Sequence, residues 1–202
     1  MPAPPSGIAA AEFAAVLRQF EAAVGEQWVF KSDEDAALYR DAYSPERDEP
    51  TERLASAAVA PVTVEQVQQV VRIANEHKLP LYPISTGKNL GYGGSAPILS
   101  GSVVVDLKRM NRIIDVDEAR CSAIVEPGVS YFDLYRHIQE RRLKLWVDCP
   151  DPGWGSVVGN ALDHGVGYTM NPYRDHWGAQ CGLEVVTGDG PRVQARRHRR
   201  RR

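Results

Sequence analysis

Apolar residues recur at roughly helical spacing between residues 8 and 24, where Phe13, Val16, Leu17, Phe20 and Val24 precede Gly25. That spacing predicts an amphipathic packing helix that stops at the glycine. A shorter helix is expected over 33–40, then an acidic, proline-containing connection over 43–54. Beyond it the pattern changes to strand, helix, strand. Residues 57–60 (AAVA) read as a small apolar strand, and Thr63 and Gln66 stand at capping-box spacing. Val64, Val67, Val70, Val71 and Ala74 mark one helical face running to about His77, and residues 81–84 (LYPI) are the returning strand. Such a unit predicts parallel strands joined by a right-handed crossover. Three short runs, 102–106, 113–116 and 122–125, suit strands of a second layer. Pro127 and Gly128 then force a turn before a helix over 131–141.

Residues 83–94 read PISTGKNLGYGG and directly follow the returning strand. Gly87, Gly91, Gly93 and Gly94 permit positive φ and close approach to a ligand, and successive N–H groups in such a turn form an anion-binding concavity. Lys88 adds charge, Ser85 and Thr86 add hydroxyl donors, and Asn89 bonds either way. Ligands of open sheets gather at the carboxyl ends of strands, where this loop lies. It is not a P-loop, because Asn89 follows Lys88 and Tyr82 stands where the first glycine belongs. Nor is it a Rossmann fingerprint: Gly91, Gly93 and Gly94 are wrongly spaced and lead into Ala96, Pro97 and Ile98. A diphosphate cradle and a plain surface turn are the two readings left. A second glycine-rich stretch, DCPDPGWGSVVGNALDHGVGY over 148–168, suggests one extended ligand touched twice.

Composition narrows the class. At 202 residues and 43% hydrophobic content the chain is long enough for a real core. No apolar run reaches the length of a membrane span, and the first residues lack the pattern of a signal peptide, so the expected compartment is the cytoplasm. Cys121, Cys149 and Cys181 are odd in number and far apart, indicating neither a disulfide framework nor a zinc site; buried thiols are expected, and no metal ligands. Seven arginines fall in the last eleven positions, which leaves residues 1–191 with 17 basic and 26 acidic groups, a net of −9. The stretch from 191 to 202 has no apolar periodicity and repels itself, so a disordered arginine-rich tail is expected there. An acidic body opposes a nucleic-acid role for that tail. The abrupt change of composition after CGLEVVTGDG suggests a reading-frame slip or a truncation.

The ordered set PISTGKNLGYGG, EPGVSYFDL, PDPGWGSVVGNALDHGVGYT, YRDHWG and GLEVV resembles the flavoprotein family of vanillyl-alcohol oxidase, eugenol oxidase and the flavin subunit of 4-cresol dehydrogenase. The resemblance covers about residues 50–190. It implies an α+β fold, a PCMH-type FAD-binding domain of two α/β subdomains with FAD between them. The domain is expected over 55–190, after an N-terminal helical arm and connection over 1–54. Ser85, Thr86, Gly87, Lys88, Asn89, Leu90 and Gly91 would hold the FAD diphosphate. Pro127, Gly128, Pro150, Gly155, Ser156, Gly159, Asn160, Glu184, Val185 and Val186 would line the rest.

The family's substrates are para-alkyl phenols, which pass hydride from the benzylic carbon to flavin N5 and leave a quinone methide that water attacks. On the resemblance, Tyr92 binds the phenolate oxygen, Tyr168 lines the same pocket, and Asp151 lies beside the flavin as a base toward water or an aid to flavin attachment. Phenolic donors would favour the ionised substrate, and a carboxylate there could take a proton as water adds. Read without the family, a tyrosine in a glycine turn is first a packing residue, and an aspartate before proline a turn former. His164 and His176 do not match the family's flavin-linking residue and read as structural or as support behind the site residues. Family members often carry Asp-Leu-Gly-Gly-Gly where Asp151, Pro152, Gly153, Trp154 and Gly155 stand here. They also run to more than twice this length, with a cap domain that supplies the covalent flavin residue and part of the phenolate site. A fragment that binds FAD weakly and without a covalent bond is therefore expected. Oxygen or a cytochrome would accept the electrons, and a homo-oligomer stays open. A hydroxy-acid dehydrogenase or lactone oxidase on the same domain, or a non-catalytic binding fragment, are the alternatives.

Overall fold

The computed structural model describes residues 2–89, 93–150, 153–170 and 174–196. Helix α1 (Ala10–Val24) buries Phe13, Val16, Leu17, Phe20 and Val24, and ends where Gly25 takes φ +94°. The first sheet holds β1 (Val29–Phe30), β2 (Ala57–Val59), β3 (Leu81–Ile84) and β4 (Val103–Asp106) in the order β1-β2-β4-β3. β1 is antiparallel to β2, whereas β4 pairs in parallel with both β2 and β3. The two strands of the crossover unit are thus parallel, with β4 between them. This corrects the expectation that 102–106 belongs to a second layer. Val103, Val104 and Val105 are buried together, as a central parallel strand covered on both faces requires.

Alternation along these strands divides the core. Ala57, Val59, Val103 and Val105 face α1 and α3 (Val64–Glu76), while Ala58 and Val104 join Tyr39, Ala55 and Ile84 on the other side. Thr63 caps α3 by accepting the Gln66 N–H, and Gln66 reaches back to the Val62 N–H, one residue beyond the cap. Short α2 (Asp33–Ala37) starts on a reciprocal box between Ser32 and Asp35. Its continuation carries Tyr39 under the sheet, where the phenol donates to buried Asp106 at the end of β4, 3.0 Å away. Lys108 pairs with the same carboxylate at 2.9 Å.

The second part begins with the hairpin of β5 (Ile113–Asp117) and β6 (Ser122–Val125), which packs with α4 (Tyr131–Glu140) around Val129, Leu134 and Ile138. α4 opens on a full capping box between Ser130 and Asp133. Then come α5 (Val157–Leu162), α6 (His176–Ala179) and a hairpin of β7 (Gly182–Val186) and β8 (Arg192–Arg196). β8 corrects the expected disorder from 191 as far as residue 196. Its residues pair with β7 over five positions, Gly190 takes φ +97° in the turn, and Arg192 bonds to Glu184. Main-chain pairing and one cross-strand ion pair order a segment with little apolar content. The hairpin's turn docks on α3 through Gln68 to the Gly190 carbonyl and Asn75 to the Gly188 carbonyl. The rest of the arginine run, 197–202, lies outside the described residues. Among those described, no helix is long and apolar enough to cross a membrane. The thiols expected to be buried are not: Cys121 and Cys181 are exposed and Cys149 is half-buried. Cys121 sits at φ +50° in the β5–β6 turn, and Cys181 lies beside the exposed start of β7.

Candidate functional site

The loop after β3 leaves the sheet at its carboxyl end. Among the described residues, the backbone N–H groups of Ser85, Thr86, Gly87, Lys88 and Asn89 find no protein acceptor. Gly87 has φ +64°, a conformation that L side chains rarely adopt. A Cβ there would lie 2.1 Å from Ser95 Oγ, which donates to the Gly87 carbonyl. The Gly94 N–H closes the loop on the Asn89 carbonyl at 3.0 Å. Asn89 also donates through Nδ2 to Asp163 at 3.0 Å. Five consecutive donors without an acceptor among the described residues, with exposed Lys88 among them, suit the oxygens of an anion.

The two glycine stretches meet at this loop. Ser156 Oγ donates to Ser85 Oγ at 2.6 Å and accepts the Gly159 N–H at 2.7 Å, so one hydroxyl caps α5 and ties it to the cradle. Gly159 is what permits the approach, since a Cβ would fall 2.2 Å from Ser85 Oγ. Gly128 serves a different contact: its Cα lies over the carbonyls of Leu107, Lys108 and Met110, which would stand 2.7–2.8 Å from a Cβ. Pro127 and Pro150 are half-buried. Gly155 accepts the Tyr131 N–H, and Gly153 abuts the Phe132 ring. Glu184, Val185 and Val186 lie on β7 opposite Gln194, Val193 and Arg192, with Glu184 and Val185 exposed.

Of the residues proposed for the reaction, Tyr92 and Asp151 lie outside the described residues, as do Leu90 and Gly91 of the cradle. Tyr168 is described, and its side chain is largely exposed. Its N–H donates to Asp148 Oδ1 at 3.0 Å, joined by the Thr169 N–H at 3.2 Å and the Thr169 hydroxyl at 2.8 Å. Burial would raise the Asp148 carboxyl, but these bonds and nearby His176 hold it below the usual carboxylate range. His176, read from the sequence as structural or as support behind the site, is buried with Tyr131 and lies against half-buried Asn160. The Tyr131 hydroxyl donates to Asn160 Oδ1 at 3.1 Å, and His176 Nδ1 lies 3.1 Å from that hydroxyl and 2.5 Å from Asn160 Oδ1. Burial first, then the charges of Cys149 and Asp148, push the Tyr131 phenol up. Asp148 and His176 stand 28 positions apart and share no motif; only the fold joins them.

A family model described as an FAD-binding domain matches residues 55–196. The chain is 43% identical over 187 residues to the 4-cresol dehydrogenase [hydroxylating] flavoprotein subunit of Pseudomonas putida, covering 92% of this chain and 35% of that protein. It is 34% identical over 135 residues to a D-2-hydroxyglutarate dehydrogenase of Stutzerimonas stutzeri, covering 67% of this chain and 29% of the relative. The fold matches 4-ethylphenol oxidase from Gulosibacter chungangensis, solved as its isoeugenol complex, with a TM-score of 0.90 and 40% identity, over 95% of this chain and 36% of that one. The chain spans about a third of the length of these relatives.

Proposed function

The chain belongs to the FAD-binding-domain family, in the branch of the vanillyl-alcohol oxidase and 4-cresol dehydrogenase flavoproteins, and from that premise we propose that it is the cofactor-holding part of an oxidoreductase acting on para-alkyl phenols. The observation that carries the reading is the cradle: five consecutive N–H groups at residues 85–89 with no acceptor among the described residues, on a loop bonded through Ser85 and Ser156 to the second glycine stretch. These residues fit FAD, because a diphosphate needs N–H donors in a positive turn and the family model spans both stretches. Ser85, Thr86, Gly87, Lys88 and Asn89, with Leu90 and Gly91, would take the diphosphate; Ser156, Gly159 and Asn160 form the adjoining wall. Bound there, FAD supplies the two-electron acceptor for a benzylic hydride.

This chain's own residues have simpler tasks. Tyr92 and Tyr168 donate to the phenolate oxygen and favour the ionised substrate. Asp151 takes a proton from the water that attacks the oxidised benzylic carbon. A relative named as a flavoprotein subunit supports a partner protein, and a cytochrome accepting the electrons is the partner that the family resemblance implies. The test is to load the purified chain with FAD, remove free flavin, and titrate with 4-ethylphenol while following the visible flavin spectrum. Reversible, non-covalent FAD binding and a phenol-induced spectral shift are expected. Retention of FAD with no response to phenol, but a response to a D-2-hydroxy acid, would overturn the phenol assignment and favour the hydroxy-acid class.

A further inference from the structure

His176 is buried, and its two ring nitrogens have unequal company. Nδ1 faces Asn160 Oδ1, an oxygen that only accepts, so the ring proton on that side points to Asn160. Nε2 has no hydrogen-bond partner among the described residues and stands 3.5 Å from Asp148 Oδ2. A buried polar nitrogen without a partner is costly, and this carboxylate oxygen lies just beyond hydrogen-bond reach. Asp148 in turn holds the turn of Tyr168 and Thr169 through three donors. Gly167 lets that turn approach, because a Cβ would lie 2.0 Å from the carboxylate.

We propose that Asp148 and His176 are a positioning pair that fixes the pocket wall carrying Tyr168 against the cofactor cradle, an inference that rests on the reading of Tyr168 as a pocket residue. A line of contacts runs from Ser85 through Ser156 and α5 to Asn160, then through His176 and Asp148 to the Tyr168 and Thr169 amides. His176 touches both Asn160 of α5 and the carboxylate. Without it, the ring that separates Asp148 from α5 is gone, and the Tyr168 and Thr169 donors lose a fixed acceptor.

The test uses the full chain, apo and FAD-loaded, with Asp148→Asn, His176→Phe and the milder Thr169→Val, which deletes only the hydroxyl donor. Hydrogen exchange of the Tyr168 and Thr169 amides should quicken about tenfold or more in both Asp148→Asn and His176→Phe, though the histidine touches neither amide. Exchange at Val104 and Val105 should stay as in the wild type. The double variant should be no worse than the stronger single, the mark of groups acting through one contact. In the FAD-loaded chain the half-saturating 4-ethylphenol concentration should rise about tenfold while FAD affinity changes less than about threefold, a split that general destabilisation would not produce. Wild-type exchange at Tyr168 and Thr169 in His176→Phe would overturn the pair, and so would equal acceleration at Val104. If wild-type flavin ignores 4-ethylphenol, the phenol reading fails, and the exchange rates still decide whether the pair holds the wall.

Discussion

Replacing Gly159 with alanine tests the joint between the two glycine stretches. The new methyl would start 2.2 Å from Ser85 Oγ and 2.7 Å from Ser156 Oγ, while Ser85 Cβ lies at an ordinary 3.4 Å. Both hydroxyls must therefore swing away, and the backbone can stay. Ser85 then loses its 2.6 Å bond to Ser156, about 1 kcal/mol for a neutral hydrogen bond. Displacing the Ser156 cap on Gly159 costs about 1 kcal/mol more. Alanine returns part of this, roughly 0.8–1 kcal/mol in a helix interior and less at the start of six-residue α5. The net expectation is a loss of about 1–2 kcal/mol, or roughly 2–8 °C for a chain of this size. Thermal unfolding with and without FAD measures it, and the FAD-bound form should lose more than the apo form because the cradle shifts with Ser85. The sharper check is Gly159→Ala in a Ser85→Ala background, where the first clash is gone; the substitution should cost about 1 kcal/mol less there. Equal cost in both backgrounds would refute the reading of Gly159 as the space for the Ser85 hydroxyl.

Other perturbations follow from the same geometry. Gly87→Ala places an L side chain at φ +64° and against Ser95, so about 1–2 kcal/mol of backbone strain and at least a tenfold weaker FAD affinity are expected by flavin fluorescence titration. Tyr39→Phe leaves buried Asp106 with Lys108 but without its phenol donor, and should cost about 1.5–3 kcal/mol in chemical denaturation. Asp148 is depressed in the folded chain, so its contribution is present above the ordinary carboxylate pKa of about 3.9 and is lost as pH falls through the lower folded value. Asp148→Asn should flatten that acid limb of the stability curve, read by circular dichroism between neutral pH and the acid transition.

Where one face is buried, the chain announces its elements. α1 and the strand-helix-strand unit were legible because Phe13, Val16, Leu17 and Phe20, and then the valines of α3, keep a helical repeat. The membership of β4 was not, because Val103, Val104 and Val105 are buried alike and a continuous apolar run carries no mark of its neighbours. β8 was hidden for the opposite reason: arginine content masked a strand held by main-chain bonds to β7. In the site, the glycine loop was legible as local backbone chemistry, whereas Asp148 and His176 were invisible because tertiary packing alone brings them together.

Glycine density is itself an ambiguous signal, and the structure shows how to resolve it. At Gly128 and Gly159 the room for a side chain is already filled, by three carbonyls in one case and by serine hydroxyls in the other. At Gly167 a carboxylate fills it. These bare Cα positions let the protein approach itself, and any effect of theirs on a cofactor must pass through the groups they admit. Gly87 is close-packed on one side too, against Ser95, but it bends a loop whose neighbouring N–H groups have no protein acceptor among the described residues. A ligand is called for by unspent donors and not by glycines. By that criterion residues 85–89 offer the donors that a ligand would need, whereas Gly159 and Gly167 of the second stretch make room for the protein's own serine hydroxyls and the Asp148 carboxylate.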